Sequence, residues 1–238
     1  MSASKLLIQG LTKQFGDQVI LDAIDLEIPL GKHTTLIGRS GIGKSVFLKC
    51  ITGLMEASAG SIALDSGDAV PHCSYLFQQN ALFDSMTVSE NVGLPVRERE
   101  SVSKSDLQDR VQAMLAKLEL ENAAHKYPAE ISGGMQKRVA LARALITQPE
   151  IILFDEPTTG LDPERKFSVF DMIRQYRQQF GFTVIMVSHD VPEVFEISDQ
   201  VAWLDQGKIA FWGSSDELMS NPPANLKSFL EPKLQSVS

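Results

Sequence analysis

The sequence predicts an α/β fold built on a parallel β-sheet, and three patterns indicate it. Apolar runs without polar alternation, at 151–154 and 183–187, are typical of strands buried on both faces of a sheet. Between such runs lie segments whose apolar residues recur every three or four positions, as in amphipathic helices. A glycine-rich loop at 38–43 joins one apolar run to such a helix. Alternating strands and helices predict a parallel sheet covered by helices.

The expected elements follow one another along the chain. The first thirty residues predict a hairpin, with strands at 6–11 and 19–28 and a turn at 15–17. Further elements are expected as strands at 34–37, 74–77, 151–154 and 183–187 and as helices at 44–55, 107–118, after 133–134 and at 166–180. We expect a single domain over 1–238, with a helical insertion at about 85–145 in the α/β core.

Composition excludes several classes of protein. The formal net charge of −8 disfavours nucleic acid as a partner, because phosphate binding needs a basic surface. Cys50 and Cys73 have neither the number nor the spacing of a disulfide framework or a metal site, which favours a reduced cytoplasmic compartment. The chain has neither an apolar run of about 18 residues nor a signal-peptide core at its N-terminus. Any role at a membrane is therefore expected to come through a partner.

A phosphate-binding loop is predicted at 38–45, which fits the pattern G-x-x-x-x-G-K-[ST]. Glycines let the backbone wrap around a phosphate with its N–H groups inward. Lys44 supplies a mobile charge and the Ser45 hydroxyl can bind Mg²⁺. The alternative, a glycine-rich surface turn, is disfavoured because the loop lies between an apolar strand and an apolar-faced helix. The predicted ATP-binding residues of this loop are Gly38, Arg39, Ser40, Gly41, Ile42, Gly43, Lys44 and Ser45.

Two carboxylates, Asp155 and Glu156, follow the apolar run at 151–154. Ligands of open α/β sheets bind where the strands end. We therefore expect Asp155 to hold Mg²⁺ through water, and Glu156 to orient and deprotonate an attacking water. The alternative is a strand that merely meets solvent at this point.

The segment at 131–145, ISGGMQKRVALARAL, resembles the signature segment and helix of ABC ATPases. The resemblance covers residues from about 5 to 218. It implies a P-loop NTPase of the ABC ATPase fold, with a RecA-like parallel-sheet core, an N-terminal antiparallel β subdomain and a helical signature subdomain. It also implies ATP and Mg²⁺ as cofactors and a homodimer. Ser132, Gly133 and Gly134 of one subunit would close over the ATP bound to the other.

The same resemblance implies roles for residues outside these segments. Phe15 would stack on adenine, and Gln78 would contact Mg²⁺ and the attacking water, with Gln79 as the alternative. Asp162 ends a loop that communicates across the dimer, and His189 would contact the γ-phosphate. As alternatives, Phe15 could be a core residue and His189 a structural hydrogen-bonding residue. The predicted catalytic residues are Glu156, His189 and Gln78, and the predicted Mg²⁺ ligands are Ser45, Gln78 and Asp155.

Details of three segments resemble one ABC subfamily. Met135 in the signature, the run at 78–95 and the run at 187–194 together resemble the MlaF-type ATPases of the maintenance-of-lipid-asymmetry system. The resemblance implies an ATPase that energises phospholipid transport between the two membranes of a Gram-negative bacterium. It would bind the cytoplasmic face of the inner membrane through permease subunits, with an MCE-domain periplasmic lipid-binding protein and a STAS-domain regulator in the complex.

Apolar residues after the glutamine pair, which are Leu82, Phe83 and Met86, are expected to receive a helix of the permease. The alternative is that they pack the base of the helical insertion. Two other functions stay open. One is an importer ATPase for amino acids or another small solute. The other is a soluble ABC protein outside transport, which would normally carry two cassettes, a coiled-coil arm or zinc-binding cysteines.

Overall fold

The computed structural model describes residues 4–66, 71–77, 81–223, 226–227 and 230. It divides into two compact units, one formed by Met1–Cys73 with Glu150–Ser238 and the other by Ser74–Pro149. The helical insertion predicted at about 85–145 falls within the second unit. That the whole chain forms one nucleotide-binding domain stays a prediction.

Both strands and helices contribute to the fold, and they are numbered in chain order. The strands are β1 (Lys5–Phe15), β2 (Gln18–Pro29), β3 (His33–Ile37), β4 (Ala59–Leu64), β5 (Cys73–Leu76), β6 (Ile151–Asp155), β7 (Thr183–Val187), β8 (Gln200–Asp205) and β9 (Lys208–Ser214). The helices are α1 (Lys44–Ile51), α2 (Val88–Arg99), α3 (Lys104–Lys117), α4 (Gly133–Leu145), α5 (Pro163–Phe180) and α6 (Ser215–Ser220). Short 3-10 turns lie at Glu121–Ala123, Pro128–Glu130 and Glu193–Ile197.

The first unit opens with an antiparallel sheet of order β2-β1-β4. Phe15 pairs with Gln18 across a two-residue turn, in which Gly16 has a φ of +56°. The predicted hairpin is therefore confirmed. Its buried face is formed by alternating apolar residues, which include Leu6, Ile8, Leu21 and Ile28.

The main sheet of the first unit runs in the order β6-β7-β3-β8-β9. The strands from β6 to β8 pair in parallel, and every residue of β3 and β7 is buried. This confirms the predicted parallel core. The last two strands, β8 and β9, were not predicted, and β9 runs antiparallel to β8. A two-residue turn at Gln206 and Gly207 joins them, and a connection that short permits only antiparallel pairing.

Two helices of this unit differ from prediction at their ends. The predicted helix at 44–55 ends at Ile51, because Gly53 takes a left-handed φ of +71°. The predicted helix at 166–180 begins earlier, at Pro163. Asp162 caps α5 there by accepting a hydrogen bond from the N–H of Arg165, and proline suits the first helical turn.

The second unit is helical, and α2 packs against α3 and α4. Helix α2 was not predicted, although Thr87 and Glu90 form a capping box at its start. The apolar face of α2 is buried through Val88, Val92 and Val96. Within the described part of the chain, no helix is long and apolar enough to cross a membrane.

Candidate functional site

Two glycines in the loop between β3 and α1 lie where neighbouring atoms leave no room for a side chain. A Cβ on Gly38 would lie 2.7 Å from the carbonyl oxygen of Leu204. A Cβ on Gly43 would lie 2.7 Å from Cγ2 of Ile20, and Gly43 also has a φ of +113°. Both positions therefore exclude side chains, and the backbone turns tightly into the N-terminus of α1.

Lys44 is buried at the start of α1, with 5% of its surface exposed. Its Nζ donates hydrogen bonds to the carbonyl oxygens of Gly38 and Arg39, each across 3.0 Å, and lies 3.8 Å from Oε1 of Glu156. Burial lowers the pKa of Lys44, whereas the carboxylates of Glu156 and Asp155 act in the opposite direction. The ammonium group is held inside the loop, where poor hydration strengthens its attraction for an anion.

Ser45 and Asp155 form the next part of the site. The Ser45 Oγ donates a hydrogen bond to Oδ1 of Asp155 across 2.9 Å. Hydroxyl and carboxylate oxygens suit Mg²⁺, which uses few protein ligands and completes its shell with water and substrate phosphate oxygens. Among the described residues, no cluster of three or more His, Cys, Asp and Glu side chains could hold a metal ion. The Ser45 hydroxyl and the Asp155 carboxylate are oxygen donors that fit a Mg²⁺ ion shared with a phosphate.

Glu156 has an unusual backbone conformation and three side-chain neighbours. Its φ is +50°, a left-handed value that costs a residue with a side chain about 1–3 kcal/mol. The carboxylate accepts a hydrogen bond from Oγ1 of Thr159 across 3.1 Å. On one side Oε1 faces Lys44, and on the other Oε2 lies 3.3 Å from Nδ1 of His189. Glu156 thus lies between a buried ammonium group and an imidazole.

The pairing of β6 with β7 explains why His189 lies beside Glu156. The two strands run parallel with Asp155 opposite Val187, so their carboxyl ends meet at one edge of the sheet. The N–H of Glu156 also donates to the carbonyl oxygen of Val187 across 3.0 Å. His189 follows two residues later, and 43% of its side chain is exposed. The structure therefore brings together Lys44, Ser45, Asp155, Glu156 and His189.

Phe15, predicted to stack on adenine, lies at the end of β1 with 48% of its surface exposed. The alternative of a core residue is therefore wrong. The Nζ of Lys13 lies 5.0 Å from the centre of the Phe15 ring, within range of a cation–π contact. The exposed ring face is available to a planar ligand.

The predicted signature residues lie in the second unit. Ser132 caps α4 by accepting a hydrogen bond from the N–H of Met135 across 3.3 Å. A Cβ on Gly133 or Gly134 would meet no atom of the described residues within 4 Å. Packing among those residues therefore does not require either glycine. Asp162, in the first unit, is 52% exposed and pairs with Arg165. The predicted Gln78 lies outside the described residues.

A buried cluster that was not predicted lies next to His189. Asp190, 5% exposed, accepts hydrogen bonds from Oγ1 of Thr158 and from Nζ of Lys166. The signal available in the sequence was an aspartate directly after the candidate histidine. Its partners lie 32 and 24 residues away, so spacing could not reveal them.

The apolar loop of the second unit is the segment at 82–87 before α2, which carries Leu82, Phe83 and Met86. It is organised by Asn91, which is fully buried in α2. Its Oδ1 accepts a hydrogen bond from the N–H of Phe83 across 2.8 Å, and its Nδ2 donates to the carbonyl oxygens of Phe83, Met86 and Thr87. The Phe83 side chain is 49% exposed, whereas Leu82 and Met86 are half-buried. The loop is thus held from inside while one aromatic ring faces outward.

Comparison with known proteins identifies the family. A family model described as ABC transporter matches residues 21–159, more than half of the chain. The chain belongs to the ABC transporter family. It is 40% identical over 231 residues to the Fe(3+) ions import ATP-binding protein FbpC of Escherichia coli O157:H7, and the match covers 94% of this chain and 66% of that protein. It is 37% identical over 235 residues to the probable ribonucleotide transport ATP-binding protein mkl of Mycobacterium leprae, covering 94% of this chain and 67% of that protein.

A solved structure agrees with this assignment. The ATP-binding cassette MJ0796, in a dimeric post-hydrolysis state bound to ADP and Pi, superposes with a TM-score of 0.73 at 29% identity. The match covers 88% of this chain and 98% of that one. The predicted ABC ATPase fold is therefore confirmed, and the chain carries an ATP-binding ABC ATPase domain. The two curated relatives are described as iron and ribonucleotide transport proteins, so the predicted phospholipid cargo stays a prediction.

Proposed function

We propose that this chain is the ATP-hydrolysing subunit of an ABC transporter and that its reaction takes place around Glu156. The observation that carries the proposal is the position of that carboxylate, 3.8 Å from the Lys44 ammonium and 3.3 Å from the His189 imidazole. The bonded pair of Ser45 and Asp155 completes a set of groups suited to a phosphate and a hard cation.

The loop at 38–45 and Phe15 bind the nucleotide. The loop amides and the N-terminus of α1 attract the phosphates, and the Lys44 ammonium exchanges its carbonyl partners for phosphate oxygens. The exposed ring of Phe15 stacks on the adenine. Ser45 and Asp155, together with Gln78, would hold Mg²⁺. When bound, the ion would supply positive charge to the phosphate oxygens.

Glu156 activates the water that attacks the terminal phosphate. Its carboxylate accepts one proton from the attacking water, and Thr159 fixes its orientation through a 3.1 Å hydrogen bond. The left-handed backbone of Glu156 turns the side chain toward Lys44 and His189. His189 donates a hydrogen bond to the terminal phosphate. Gln78 orients the same water.

We propose that the working form is a homodimer with composite sites. Ser132, Gly133 and Gly134 of one subunit close over the nucleotide held by the other, and the Asp162 loop contacts the partner. Three observations support this. A capped helix begins at Ser132, both glycines leave open space, and the similar MJ0796 cassette is dimeric. ATP that binds both subunits would stabilise the dimer by linkage.

The membrane partner is proposed to be a pair of permease subunits, and a helix of the permease docks on the apolar residues Leu82, Phe83 and Met86 of the second unit. The exposed ring of Phe83, held on a loop organised by Asn91, offers apolar surface to that helix. The chain would then act at the cytoplasmic face of the inner membrane. A net charge of −8 gives no basis for a nucleic-acid partner.

For the cargo, we propose phospholipid transport of the MlaF type, with an MCE-domain lipid-binding protein and a STAS-domain regulator in the complex. Met135 and the run at 187–194 support this proposal. The alternative is an importer for a small solute, which the resemblance to an iron-import ATP-binding protein favours. Nothing in the described parts of the two units favours a role outside transport.

Two measurements test these proposals separately. The purified chain should hydrolyse ATP in a Mg²⁺-dependent manner, and Lys44→Ala should weaken ATP binding while Arg177→Met, at the far end of α5, should not. An unchanged ATP titration for Lys44→Ala would contradict the proposed site. For the cargo, the complex purified from native membranes should contain an MCE-domain protein. Recovery of a binding protein for a polar solute would contradict the lipid proposal and favour the importer.

A further inference from the structure

We propose that Asp190 is a positioning residue for ATP hydrolysis. Held by Lys166 and Thr158, it fixes the segment that presents His189 to Glu156. This proposal rests on the proposed role of His189. It adds that Asp190 determines the position of His189. Both carboxylate oxygens of Asp190 are bonded to other residues of the protein, one to Thr158 and the other to Lys166.

The contacts of Asp190 leave it little freedom. Its Oδ2 accepts a hydrogen bond from Oγ1 of Thr158, its Oδ1 forms an ion pair with Nζ of Lys166, and its N–H donates to Oγ of Ser188 across 3.0 Å. Asp190 is 5% exposed and Thr158 is 1% exposed. A residue fixed at three atoms and shielded from water holds its own backbone, and with it the backbone of the residue before it.

The contacts with Lys166 and Thr158 stabilise the charge of Asp190. Burial by itself would raise the pKa of Asp190, but the hydrogen bonds from Lys166 and Thr158 and the charge of Lys166 outweigh it, so its pKa is lowered. Removing one partner from a buried pair leaves an uncompensated charge, which costs far more than a surface pair is worth. Loss of Lys166 should therefore displace Asp190 rather than leave it in place.

Three segments with proposed roles meet at this carboxylate. Thr158 lies two residues after Glu156, and Asp190 directly follows His189. Lys166 lies on the first turn of α5, where its N–H donates to the carbonyl oxygen of Asp162 across 3.0 Å. A shift of the α5 start, which carries the proposed dimer loop, would therefore move Lys166, Asp190 and then His189. This gives partner contact at Asp162 a physical route to His189.

The position of His189 depends on such a constraint. Its side chain is 43% exposed, and its Nδ1 lies 3.3 Å from Oε2 of Glu156. His189 itself lies just beyond the end of β7. An exposed side chain loses little free energy when it moves. An accurate contact between His189 and Glu156 therefore needs a fixed backbone at His189. The buried neighbour at 190 supplies it.

A second ion pair on α5 provides a matched control. Arg177, at the other end of the helix, pairs with Asp199 across 2.9 Å between Nη2 and Oδ2. The exposed fraction of the Arg177 side chain, 22%, is close to the 24% of Lys166. Both pairs tie α5 to a neighbouring segment, but only the pair of Lys166 and Asp190 adjoins His189. The Asp190 side chain is 3% exposed and the Asp199 side chain 32%, so a purely structural role predicts a larger loss of thermal stability at the buried pair but no specific loss of kcat.

The test compares steady-state ATP hydrolysis and thermal unfolding of the full-length chain and its variants. Asp190→Asn and Lys166→Met should each lower kcat about tenfold or more, with KM for ATP within about twofold. Lys166→Arg should recover most of the rate, because it keeps the charge. Asp199→Asn and Arg177→Met should keep the parent kcat even where they lower the unfolding temperature. If Asp190→Asn does not fold, Thr158→Val and Lys166→Met carry the test.

A double-mutant cycle separates this proposal from the one it rests on. If Asp190 acts through His189, adding Asp190→Asn to His189→Ala should cause no further loss of kcat. Losses that multiply, or an Asp190→Asn variant at the parent kcat beside a slow His189→Ala, would overturn the positioning role and leave the role of His189 intact. A His189→Ala variant at the parent kcat would instead contradict the proposed role of His189 itself.

Discussion

The Oγ of Ser45 donates a hydrogen bond to Oδ1 of Asp155 across 2.9 Å, joining the start of α1 to the end of β6. Two segments that are 110 residues apart are thus held with their oxygens side by side. A metal ion that bridges the two would find its ligands already close together, and little ordering would be needed on binding.

Removing the Ser45 hydroxyl should weaken the response to Mg²⁺. Ser45→Ala deletes one proposed ligand, so the Mg²⁺ concentration for half-maximal ATPase activity should rise about tenfold or more. The measurement is a Mg²⁺ titration of hydrolysis at saturating ATP. Thr52→Val is the control, because it removes a hydroxyl at the other end of α1 that bonds to helix carbonyls. An unchanged Mg²⁺ midpoint for Ser45→Ala would exclude the hydroxyl as a ligand.

Two inactive variants should restore activity when they are mixed. In a composite dimer, a Lys44→Ala chain still provides Ser132, and a Ser132→Arg chain still provides Lys44, so a mixed dimer contains one intact site. An equal mixture should recover up to about a quarter of the parent rate, since half of the dimers are mixed and each has one working site. Hydrolysis is measured for each variant alone and for the mixture.

The control for mixing is a pair of changes in one chain. A Lys44→Ala, Ser132→Arg double variant mixed with either single variant leaves no intact composite site, so it should stay inactive. If the two single variants also stay inactive when mixed, and dimers form, then Lys44 and Ser132 do not act across subunits.

Phe83 should be needed for the membrane partner and not for the chemistry. Phe83→Asp places a charge on the exposed ring position, so co-purification with the membrane fraction should fall about tenfold while ATP hydrolysis by the isolated chain stays unchanged. Phe167→Asp, at a ring with similar exposure of 47%, is the control. Equal loss for both variants, or no loss for Phe83→Asp, would remove this loop as the docking site.

The residues that act locally could be predicted from the sequence. The loop at 38–45 and the Asp155–Glu156 pair follow from short-range rules, in which glycines permit a tight turn and a buried strand ends at a sheet edge. The first helix of the second unit, α2, was missed because Pro95 lies inside it and its polar residues weaken the apolar period. Its capping box at Thr87 was the stronger signal.

Long-range pairs could not be predicted. Asp190 looks like an ordinary polar residue after a strand, and its two partners become visible only when β6, β7 and α5 are placed together. The same holds for Asn91, whose four hydrogen bonds to the loop at 83–87 depend on the path of that loop. Burial of a polar side chain is a property of the assembled fold, and periodicity indicates only which face of an element is apolar.

His33 should make the folded state sensitive to mild acid. Burial lowers the pKa of His33 to about 3, helped by the charge of Arg177 and opposed by Asp199 and a hydrogen bond with the Ile197 backbone. Its contribution is fully present above pH 6.5, where the imidazole is neutral in both states. As pH falls from 6.5 toward 3, the unfolded chain gains a proton that the native state does not, so stability is lost. Between pH 6.5 and 5 the loss should be about 2 kcal/mol.

Denaturant unfolding at a series of pH values checks this prediction. His33→Gln should have a flatter pH dependence of the unfolding free energy over that window, even if its stability is lower throughout. His125→Gln is the control, since His125 is exposed. Equal slopes for His33→Gln and the parent chain would show that His33 is not the titrating group.

The hydrolysis rate of Glu156→Gln tests the proposed mechanism most directly. The substitution keeps the shape of the side chain and the contact with Thr159 but removes the base. We expect that hydrolysis falls about a hundredfold or more, that ATP still binds within a few-fold of the parent affinity, and that the ATP-bound dimer accumulates. Glu27→Gln, which removes an exposed carboxylate paired with Lys5, should leave all three properties unchanged. Hydrolysis by Glu156→Gln at the parent rate would contradict the role of Glu156 as the base.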